Sequence, residues 1–238
     1  FDTVDHPVLL QVLQDRFCVR DGALRWFGSY LSNRTQTYQV KDLQSSPRLV
    51  DCSVPQGSVL GPQGFIAYTE DLAELIEEHL LGHHMYADDT QLMAHLTIND
   101  IPSVATRLQN CIEAIQVWCN SRRLQLNPTK TELIWFGSKT NLKKIADLDL
   151  YIGPDIIKPV NVVRDLGVYL DSELSMEHHI STVVRACFFH LRRLKSIRRI
   201  LGADVTSGLV SAFVTTRMDY CNSILAALPQ SPIDPLQR

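Results

Sequence analysis

The stretch Tyr86-Ala87-Asp88-Asp89 says more about the fold and chemistry of this chain than any other. It lies between Met85 and the alternating run 90–94 (Thr-Gln-Leu-Met-Ala), and this pattern predicts a β-hairpin with both acids at its turn. Adjacent carboxylates repel each other unless a cation holds them, and Mg²⁺ prefers such hard oxygen ligands. The pattern therefore predicts a metal site at a hairpin tip, with a solvated Asp-Asp turn as the simpler alternative.

The composition is typical of a globular chain. Hydrophobic residues make up 45% of the 238 residues, and no run approaches the roughly 20 apolar residues of a membrane span. No charged and apolar leader follows Phe1, so no secretory signal is visible. The six cysteines form no Cys-x-x-Cys pair, which argues against structural zinc and against a disulfide framework. We therefore expect a cytoplasmic or nuclear protein, or one present in both compartments, that is neither secreted nor membrane-bound.

Charge is distributed unevenly along the chain. Residues 1–120 carry 7 basic and 15 acidic side chains, whereas residues 121–238 carry 16 basic and 11 acidic ones. Apolar residues recur at helical spacing between positions 180 and 201, which predicts an amphipathic helix. Its polar face is basic, and it is either a solvated helix face or a surface that contacts a phosphate backbone. The basic residues are Arg185, Arg192, Arg193, Lys195, Arg198 and Arg199.

The order of predicted elements indicates an α+β fold that ends in helices alone. Asp5-His6-Pro7 is typical of a helix cap and first turn, and Asp100 with Pro102 predicts the start of a helix of about 20 residues. That helix places Val104, Leu108, Cys111, Ile112, Ile115 and Trp118 on one face. The remaining predictions are helices over 7–18 and 21–31, strands over 35–40 and 49–54 around a turn at 44–47, a helix after Gly61-Pro62 that carries Leu72, Leu75, Ile76 and Leu80, strands over 133–136, 148–152 and 160–163, and helices from about Ser175.

Several stretches, together with the acidic tip, resemble in order and spacing the motifs of reverse transcriptases from non-LTR (LINE-type, CR1/jockey-like) retrotransposons. They are Phe1–His6, Trp26–Arg34, Val54–Pro62, Leu124–Glu132, Arg164–Val168 and Arg217–Asn222. The resemblance covers essentially the whole chain. It implies a right-hand polymerase palm, an antiparallel sheet with packed helices, over residues 1–174. A helical thumb over 175–238 follows.

The resemblance also implies an activity, RNA-directed DNA polymerisation, in which a primer 3′-hydroxyl attacks the α-phosphate of a deoxynucleoside triphosphate. Asp88 and Asp89 match the catalytic metal ligands for Mg²⁺, with Mn²⁺ as a possible substitute, and Lys130 matches the lysine that neutralises the leaving pyrophosphate. The implied substrate-binding residues are Phe1, Gln56, Gly57 and Tyr86. The implied partners are an RNA template, a DNA primer and deoxynucleoside triphosphates, with the basic helix along the template-primer duplex. The oligomeric state stays open.

Two departures from the family pattern bear on activity. The third catalytic carboxylate of the family lies five residues before the position of Phe1, on the first palm strand, and the fingers lie further upstream. We therefore expect residues 1–238 alone to be inactive, as a partial copy of such an enzyme. The alternative is a catalytically dead remnant that binds nucleic acid. Gln63-Gly64 replaces two large apolar residues of the family, which would cost roughly 2–5 kcal/mol each if those positions are buried.

Overall fold

Helices and short strands alternate up to Asp171, and helices alone follow, in agreement with the predicted α+β order. The computed structural model describes residues 2–55, 57–145, 148–226, 228–229, 233–234 and 236. The predicted substrate-binding residues Phe1 and Gln56 lie outside the described residues.

The α-helices are α1 (His6–Asp15), α2 (Asp21–Leu31), α3 (Leu60–Tyr68), α4 (Leu72–Glu78), α5 (Ile101–Ser121), α6 (Lys139–Leu142), α7 (Glu177–Leu201), α8 (Ala203–Val210) and α9 (Thr216–Asp219). The strands are β1 (Arg34–Gln36), β2 (Gln39–Val40), β3 (Leu43–Gln44), β4 (Arg48–Val50), β5 (Gly82–Tyr86), β6 (Asp89–Met93), β7 (Leu133–Ile134), β8 (Leu150–Ile152), β9 (Asp155–Ile157), β10 (Pro159–Val160), β11 (Val162–Asp165) and β12 (Val168–Asp171). Short 3₁₀ turns cover Ile98–Asp100 and Asn222–Leu225, and a π-helical turn covers Ser211–Thr215. No helix among the described residues is both apolar and long enough to span a bilayer.

The strands of the described chain pair two by two. β7 and β10 are parallel, and the other five pairs, including β5 with β6 and β11 with β12, are antiparallel. Strands of two to five residues offer few ladder groups to a third strand, so each antiparallel pair is a separate hairpin or arm. The mixed α and β content agrees with the family expectation, whereas the arrangement as one palm sheet with a thumb stays a prediction.

The chain consists of two compact units. One comprises Phe1–Thr131 and Asp149–Ile157, and the other comprises Glu132–Leu148 and Lys158–Arg238. The predicted division into a palm over 1–174 and a thumb over 175–238 stays a prediction.

The core of the first unit joins α1, α2 and α3. Val4, Leu9, Leu13, Leu31, Val54, Phe65, Ala67 and Tyr68 form one buried cluster. The predicted cap of α1 is confirmed, because the Asp5 carboxylate accepts a hydrogen bond from the Val8 N–H at 3.0 Å and Pro7 lies in the first turn. The predicted long helix is confirmed as α5, which buries every predicted residue except Trp118. Cys119 is also buried, and Trp118 is half-buried with the Arg122 guanidinium over its ring at 5.7 Å from the centroid.

Three local predictions for the first unit are wrong. The turn expected at 44–47 lies at Lys41-Asp42, because β2 and β3 form an inner hairpin between β1 and β4. The helix expected after Gly61-Pro62 is two helices, α3 and α4, and Gly61 lies inside the first turn of α3. Leu80 lies beyond α4 in a left-handed conformation, with φ of 55°, and its side chain is exposed.

In the second unit, β12 leads directly into α7. The Asp171 carboxylate accepts hydrogen bonds from the backbone N–H groups of Glu173, Ser175 and Met176, at 3.2, 2.9 and 2.8 Å. Although desolvation alone raises the pKa of Asp171, these hydrogen bonds outweigh it and lower that pKa. The core here comprises Val168, Met176 and Ile180.

The tight turn between β11 and β12 explains the glycine within the stretch Arg164–Val168. Leu166 and Gly167 both have positive φ, 43° and 90°, as a two-residue hairpin turn requires. The Tyr220 hydroxyl donates a hydrogen bond to the Leu166 carbonyl at 2.6 Å, and a Cβ on Gly167 would touch the Tyr220 ring at 3.4 Å. Two of the stretches singled out from the sequence, 164–168 and 217–222, therefore contact each other.

Having Gln63-Gly64 in place of two large apolar residues costs less folding free energy than the sequence alone suggests. Gln63 is exposed, so its polar side chain loses no hydration, and only Gly64 faces the core. A Cβ at Gly64 would meet Val54 Cγ1 at 3.4 Å and Leu9 Cδ2 at 3.8 Å, which are ordinary packing distances.

We expect alanine to have opposite effects at two glycines of α3. Gly61→Ala places a Cβ 2.8 Å from the Pro55 carbonyl oxygen, so the backbone must shift, and the free energy of unfolding falls by about 1–3 kcal/mol. Gly64→Ala adds a methyl group at ordinary van der Waals distance from Val54 and Leu9 and removes a helical glycine, so the same free energy rises by about 0.5–1 kcal/mol. Urea unfolding followed by circular dichroism measures both, and a shift of the same sign in the two variants would show the turn geometry to be wrong.

Candidate active site

The acids Asp88 and Asp89 lie at the tip of the β5–β6 hairpin, as the sequence predicts. Tyr86 pairs with Asp89, so Ala87 and Asp88 form the two-residue turn and Asp89 begins β6. Ala87 has φ of 54°, in the left-handed region that costs a non-glycine residue about 1 kcal/mol or more. The tip therefore holds a strained backbone next to the two acids.

Both carboxylates are open to solvent. Asp88 and Asp89 are exposed, and neither side chain forms an ion pair or hydrogen bond with another described residue. Along β5 exposure alternates, with His83 and Met85 half-buried and Tyr86 62% exposed. Tyr86 thus lies on the open side of the hairpin. The base of the hairpin is anchored by Leu81, which is buried, and by α4, which packs against β5.

The donor set at the tip fits part of a magnesium shell. No cluster of three or more His, Cys, Asp or Glu side chains suited to a metal exists among the described residues. Mg²⁺, however, is commonly held by one or two carboxylates, with water and substrate phosphate oxygens completing its shell. The unpartnered carboxylates of Asp88 and Asp89 supply that minimum of hard oxygen donors.

A buried tyrosine ties together the segments that flank the hairpin in sequence. Tyr68, at the end of α3, is fully buried, and its hydroxyl donates a hydrogen bond to the Arg122 carbonyl at 2.7 Å. The same hydroxyl accepts a 3.4 Å hydrogen bond from the Asp5 N–H. Desolvation by burial raises the pKa of Tyr68, which keeps this hydroxyl a donor. The ends of α3 and α5 and the start of α1 thus meet at one oxygen atom.

Two arginines after α5 strengthen this junction. Arg122 forms an ion pair with Asp71, and its guanidinium lies over the Tyr68 ring at 5.5 Å from the centroid. Arg123 Nη1 lies 3.0 Å from the buried Asp5 carboxylate. Asp5 is thereby both a helix cap and an ion-pair partner. We name Asp5, Tyr68, Asp71, Arg122 and Arg123 the Tyr68 junction.

The loop with Gly57 is attached to the Tyr68 junction through the chain just before it. Ser53 N–H donates to the Val4 carbonyl at 2.8 Å, and the His6 Nε2 atom lies 2.7 Å from the Ser53 carbonyl oxygen. Val54 is buried in the core, and beyond it Gly57 is exposed with φ of 75°. A Cβ on Gly57 would meet nothing within 4 Å, so its backbone conformation, and not crowding, favours glycine here.

A short, hydrogen-bonded loop connects Arg123 to Lys130. The Asn127 side-chain oxygen accepts from the Thr129 N–H at 3.1 Å, and the Asn127 carbonyl accepts from the Lys130 N–H at 3.1 Å. This Asx turn fixes the backbone at Lys130 and leaves its side chain exposed. No ion pair joins Lys130 to Asp88 or Asp89 within the described part of the chain.

The predicted site residues therefore fall into two groups. Tyr86, Asp88 and Asp89 lie together on the hairpin tip, and Gly57 and Lys130 belong to the same unit, on loops that follow Ser53 and Arg123 along the chain. The six basic residues 185–199 belong to the other unit, where all are exposed on α7. The sequence reasoning did not single out Tyr68. Its signal is a tyrosine at the end of an apolar helix, where a buried hydroxyl needs a partner.

We expect Tyr68→Phe to destabilise the first unit by about 1–3 kcal/mol, because the Arg122 carbonyl and the Asp5 N–H lose their buried partner. Tyr151→Phe is the matched control, since Tyr151 lies in the same unit and is 46% exposed. Thermal unfolding measures both. Equal midpoints for the two variants would mean that the hydroxyl contributes nothing.

Comparison with known proteins identifies the family. The model of the family described as "Reverse transcriptase (RNA-dependent DNA polymerase)" matches residues 1–170. The chain is 30% identical over 215 residues to the "Probable RNA-directed DNA polymerase from transposon BS" of Drosophila melanogaster, which covers 88% of this chain and 23% of that protein. It is 28% identical over 192 residues to the "RNA-directed DNA polymerase from mobile element jockey" of the same fly, which covers 78% of this chain and 20% of that protein.

A third relative points the same way. The "Probable RNA-directed DNA polymerase from transposon X-element" of Drosophila melanogaster is 26% identical over 158 residues, which cover 65% of this chain and 17% of that protein. The chain thus spans about a fifth of the length of these relatives. No solved structure matches it significantly. The chain belongs to the reverse transcriptase family, in the branch found in non-LTR, LINE-type retrotransposons.

Proposed function

We propose that this chain supplies the catalytic acids of an RNA-directed DNA polymerase that extends a DNA primer on an RNA template. The observation that carries the proposal is the pair of exposed, unpartnered carboxylates at the tip of the β5–β6 hairpin. A solvated Asp-Asp turn would suffice to explain an isolated pair. Family membership over residues 1–170 makes the catalytic interpretation the better one.

Asp88 and Asp89 would hold magnesium, with Asp88 as the principal ligand. Magnesium held by these carboxylates would supply the positive charge that stabilises the attacking primer oxygen and the leaving pyrophosphate oxygen. Keeping both carboxylates free of protein cations leaves their charge available for this role. The exposed Lys130 would donate a hydrogen bond or a proton to the leaving pyrophosphate, since an ammonium group there lowers the cost of the developing negative charge.

The remaining sequence-predicted residues would bind the nucleotide. Gly57 permits a close approach of backbone to substrate, because φ of 75° is open to glycine and no side chain intervenes. Gln56 would hydrogen-bond the template base or the incoming nucleotide, and Tyr86 would line the groove from the open face of β5. Phe1 would exclude a ribose 2′-hydroxyl and so select deoxynucleotides.

Residues 1–238 do not include the family position five residues before Phe1, which carries the third carboxylate. We propose that these 238 residues, produced as a polypeptide of their own, bind nucleic acid without polymerising it. A polypeptide that also contains the preceding strand should carry out the reaction. A chimera is suitable for this, in which the segment of the jockey polymerase preceding the matched region is joined to Phe1.

We expect the chimera to extend a DNA primer on an RNA template with Mg²⁺, and Asp88→Asn to lower the rate by at least about 100-fold. The matched control is Asp42→Asn, because Asp42 occupies the two-residue turn of the β2–β3 hairpin in the same unit and is exposed. Incorporation of labelled nucleotide measures the rate, and chelation of Mg²⁺ should stop it. A folded chimera that is inactive, or that works equally well when it carries the Asp88→Asn change, would refute the assignment. Extension by residues 1–238 alone would refute only the proposed inactivity.

The second candidate function is nucleic-acid binding without catalysis, and the cations of α7 favour it. Arg185, Arg192, Arg198, Arg199 and Lys195 are exposed and form no ion pair with another described residue. Between Glu177 and Asp204 the chain carries no acidic residue. Unbalanced cations on one helix would neutralise phosphates and release counterions, which is the main source of sequence-independent affinity.

Neutralising Arg192, Arg193 and Arg198 to Gln should weaken binding of an RNA–DNA duplex and reduce the slope of log affinity against log salt by about 2–3. The control changes Lys143, Lys144 and Lys158 to Gln, which removes the same charge from exposed positions of the same unit outside α7. Fluorescence anisotropy over a salt series measures both slopes. Equal slopes would show that α7 is only a solvated face.

A further inference from the structure

The outer face of α7 carries aromatic rings as well as cations. Phe188 and Phe189 are 47% and 48% exposed, although phenylalanine is ordinarily among the most buried residues. The opposite face packs into the unit through Ile180, Cys187 and Leu194, which are buried. The two rings therefore point away from the core of their own unit.

The arginines and the rings alternate around this face. Arg185, Arg192 and Arg199 repeat every seven residues and so share a line along α7, about 21 Å long at 1.5 Å per residue. At about 100° per residue, Phe188 lies on one side of that line and Phe189 on the other. The arginine line thus separates the two rings.

Phe189 is held in a defined orientation. The Arg193 guanidinium lies over its ring at 5.5 Å from the centroid, and the His190 ring packs edge-on against it at 5.3 Å and 79°. His190 in turn stacks on Phe213 at 5.1 Å and 9°. A ring fixed in this way loses little further freedom when a flat ligand stacks on it.

We propose that the outer face of α7 binds single-stranded nucleic acid, with unpaired bases stacked on Phe188 and Phe189 and the phosphates held by the arginine line. This rests on the proposed nucleic-acid binding by α7 and specifies its ligand. Every base has a π-face for stacking, whereas a duplex hides those faces in its interior. The guanidinium of Arg193 offers a further plane on which a base can stack.

Charge and pattern favour this ligand over an anionic membrane. A helix that lies on a membrane presents a continuous apolar face with cations at its margins. On α7 the cations lie in the middle and the apolar rings at the margins, because the arginine line runs between Phe188 and Phe189. Phosphates that alternate with bases match this arrangement.

The test compares two ligands of equal charge on the full 238-residue chain. One is a labelled 20-nucleotide single strand, and the other is the same strand with abasic sites in place of its bases. We expect Phe188→Leu with Phe189→Leu to weaken binding of the intact strand by about 10-fold to 100-fold, with an unchanged salt slope. The double variant should bind the abasic strand and a 20-base-pair duplex as the unsubstituted chain does.

Phe136→Leu is the matched control, because Phe136 is 49% exposed, belongs to the same unit and is not on α7. Circular dichroism of each variant checks that the unit stays folded. Equal affinity of the unsubstituted chain for intact and abasic strands would overturn the inference while leaving the proposed binding of duplex intact. Loss of anionic-vesicle binding in the double variant, with single-strand binding unchanged, would overturn it in favour of a membrane. Absence of salt-sensitive binding to any nucleic acid would overturn both proposals.

Discussion

The first unit depends on one buried hydroxyl. Tyr68 sits in the core with no exposed surface, and its oxygen bonds both the end of α5, through the Arg122 carbonyl, and the start of α1, through the Asp5 N–H. In a low-dielectric interior such bonds are strong, and leaving any of these groups without a partner is expensive. The neighbouring ion pairs of Arg122 with Asp71 and of Arg123 with Asp5 reinforce the same point. As a result, chain segments more than 50 residues apart are held in one place.

The loops with Gly57 and Lys130 both follow chain segments that are held at or beside the Tyr68 junction. The chain leaves it toward Gly57 on one side and toward Lys130 on the other, and each loop is further fixed by its own short hydrogen bonds. The acidic tip differs, because Asp88 and Asp89 have no cation beside them among the described residues and Ala87 holds a strained backbone. The unbalanced negative charge of these two carboxylates at the hairpin tip is suited to binding a cation from solution. The buried carboxylate of Asp5 is paired, and the exposed acids of the tip are not.

The second unit distributes its charge in the opposite way. The carboxylate of Asp171 accepts hydrogen bonds from three backbone N–H groups in the segment that joins β12 to α7. The cations of α7 have no such acidic partner in the part of the chain that the structure describes. Half-exposed Phe188 and Phe189 among those cations make the face unlike an ordinary solvated one. The unit therefore combines a half-buried acid whose hydrogen bonds are satisfied with an outer surface whose positive charge is unbalanced.

Local patterns determined much of this protein. The acidic hairpin, the cap of α1 at Asp5, α2 and the start of α5 follow from periodicity, caps and turn residues, all of which act within a few positions of the chain. The inner hairpin at Lys41-Asp42, the exposure of Leu80 and of Gln63, and the meeting of Tyr220 with Leu166 depend on which distant segment lies alongside, and no window of sequence contains that information. Tyr68 shows the difference most clearly. The sequence alone supplies a hydroxyl in an apolar helix, but only the tertiary structure supplies its partners, because burial makes a hydrogen bond obligatory without specifying which residue provides it.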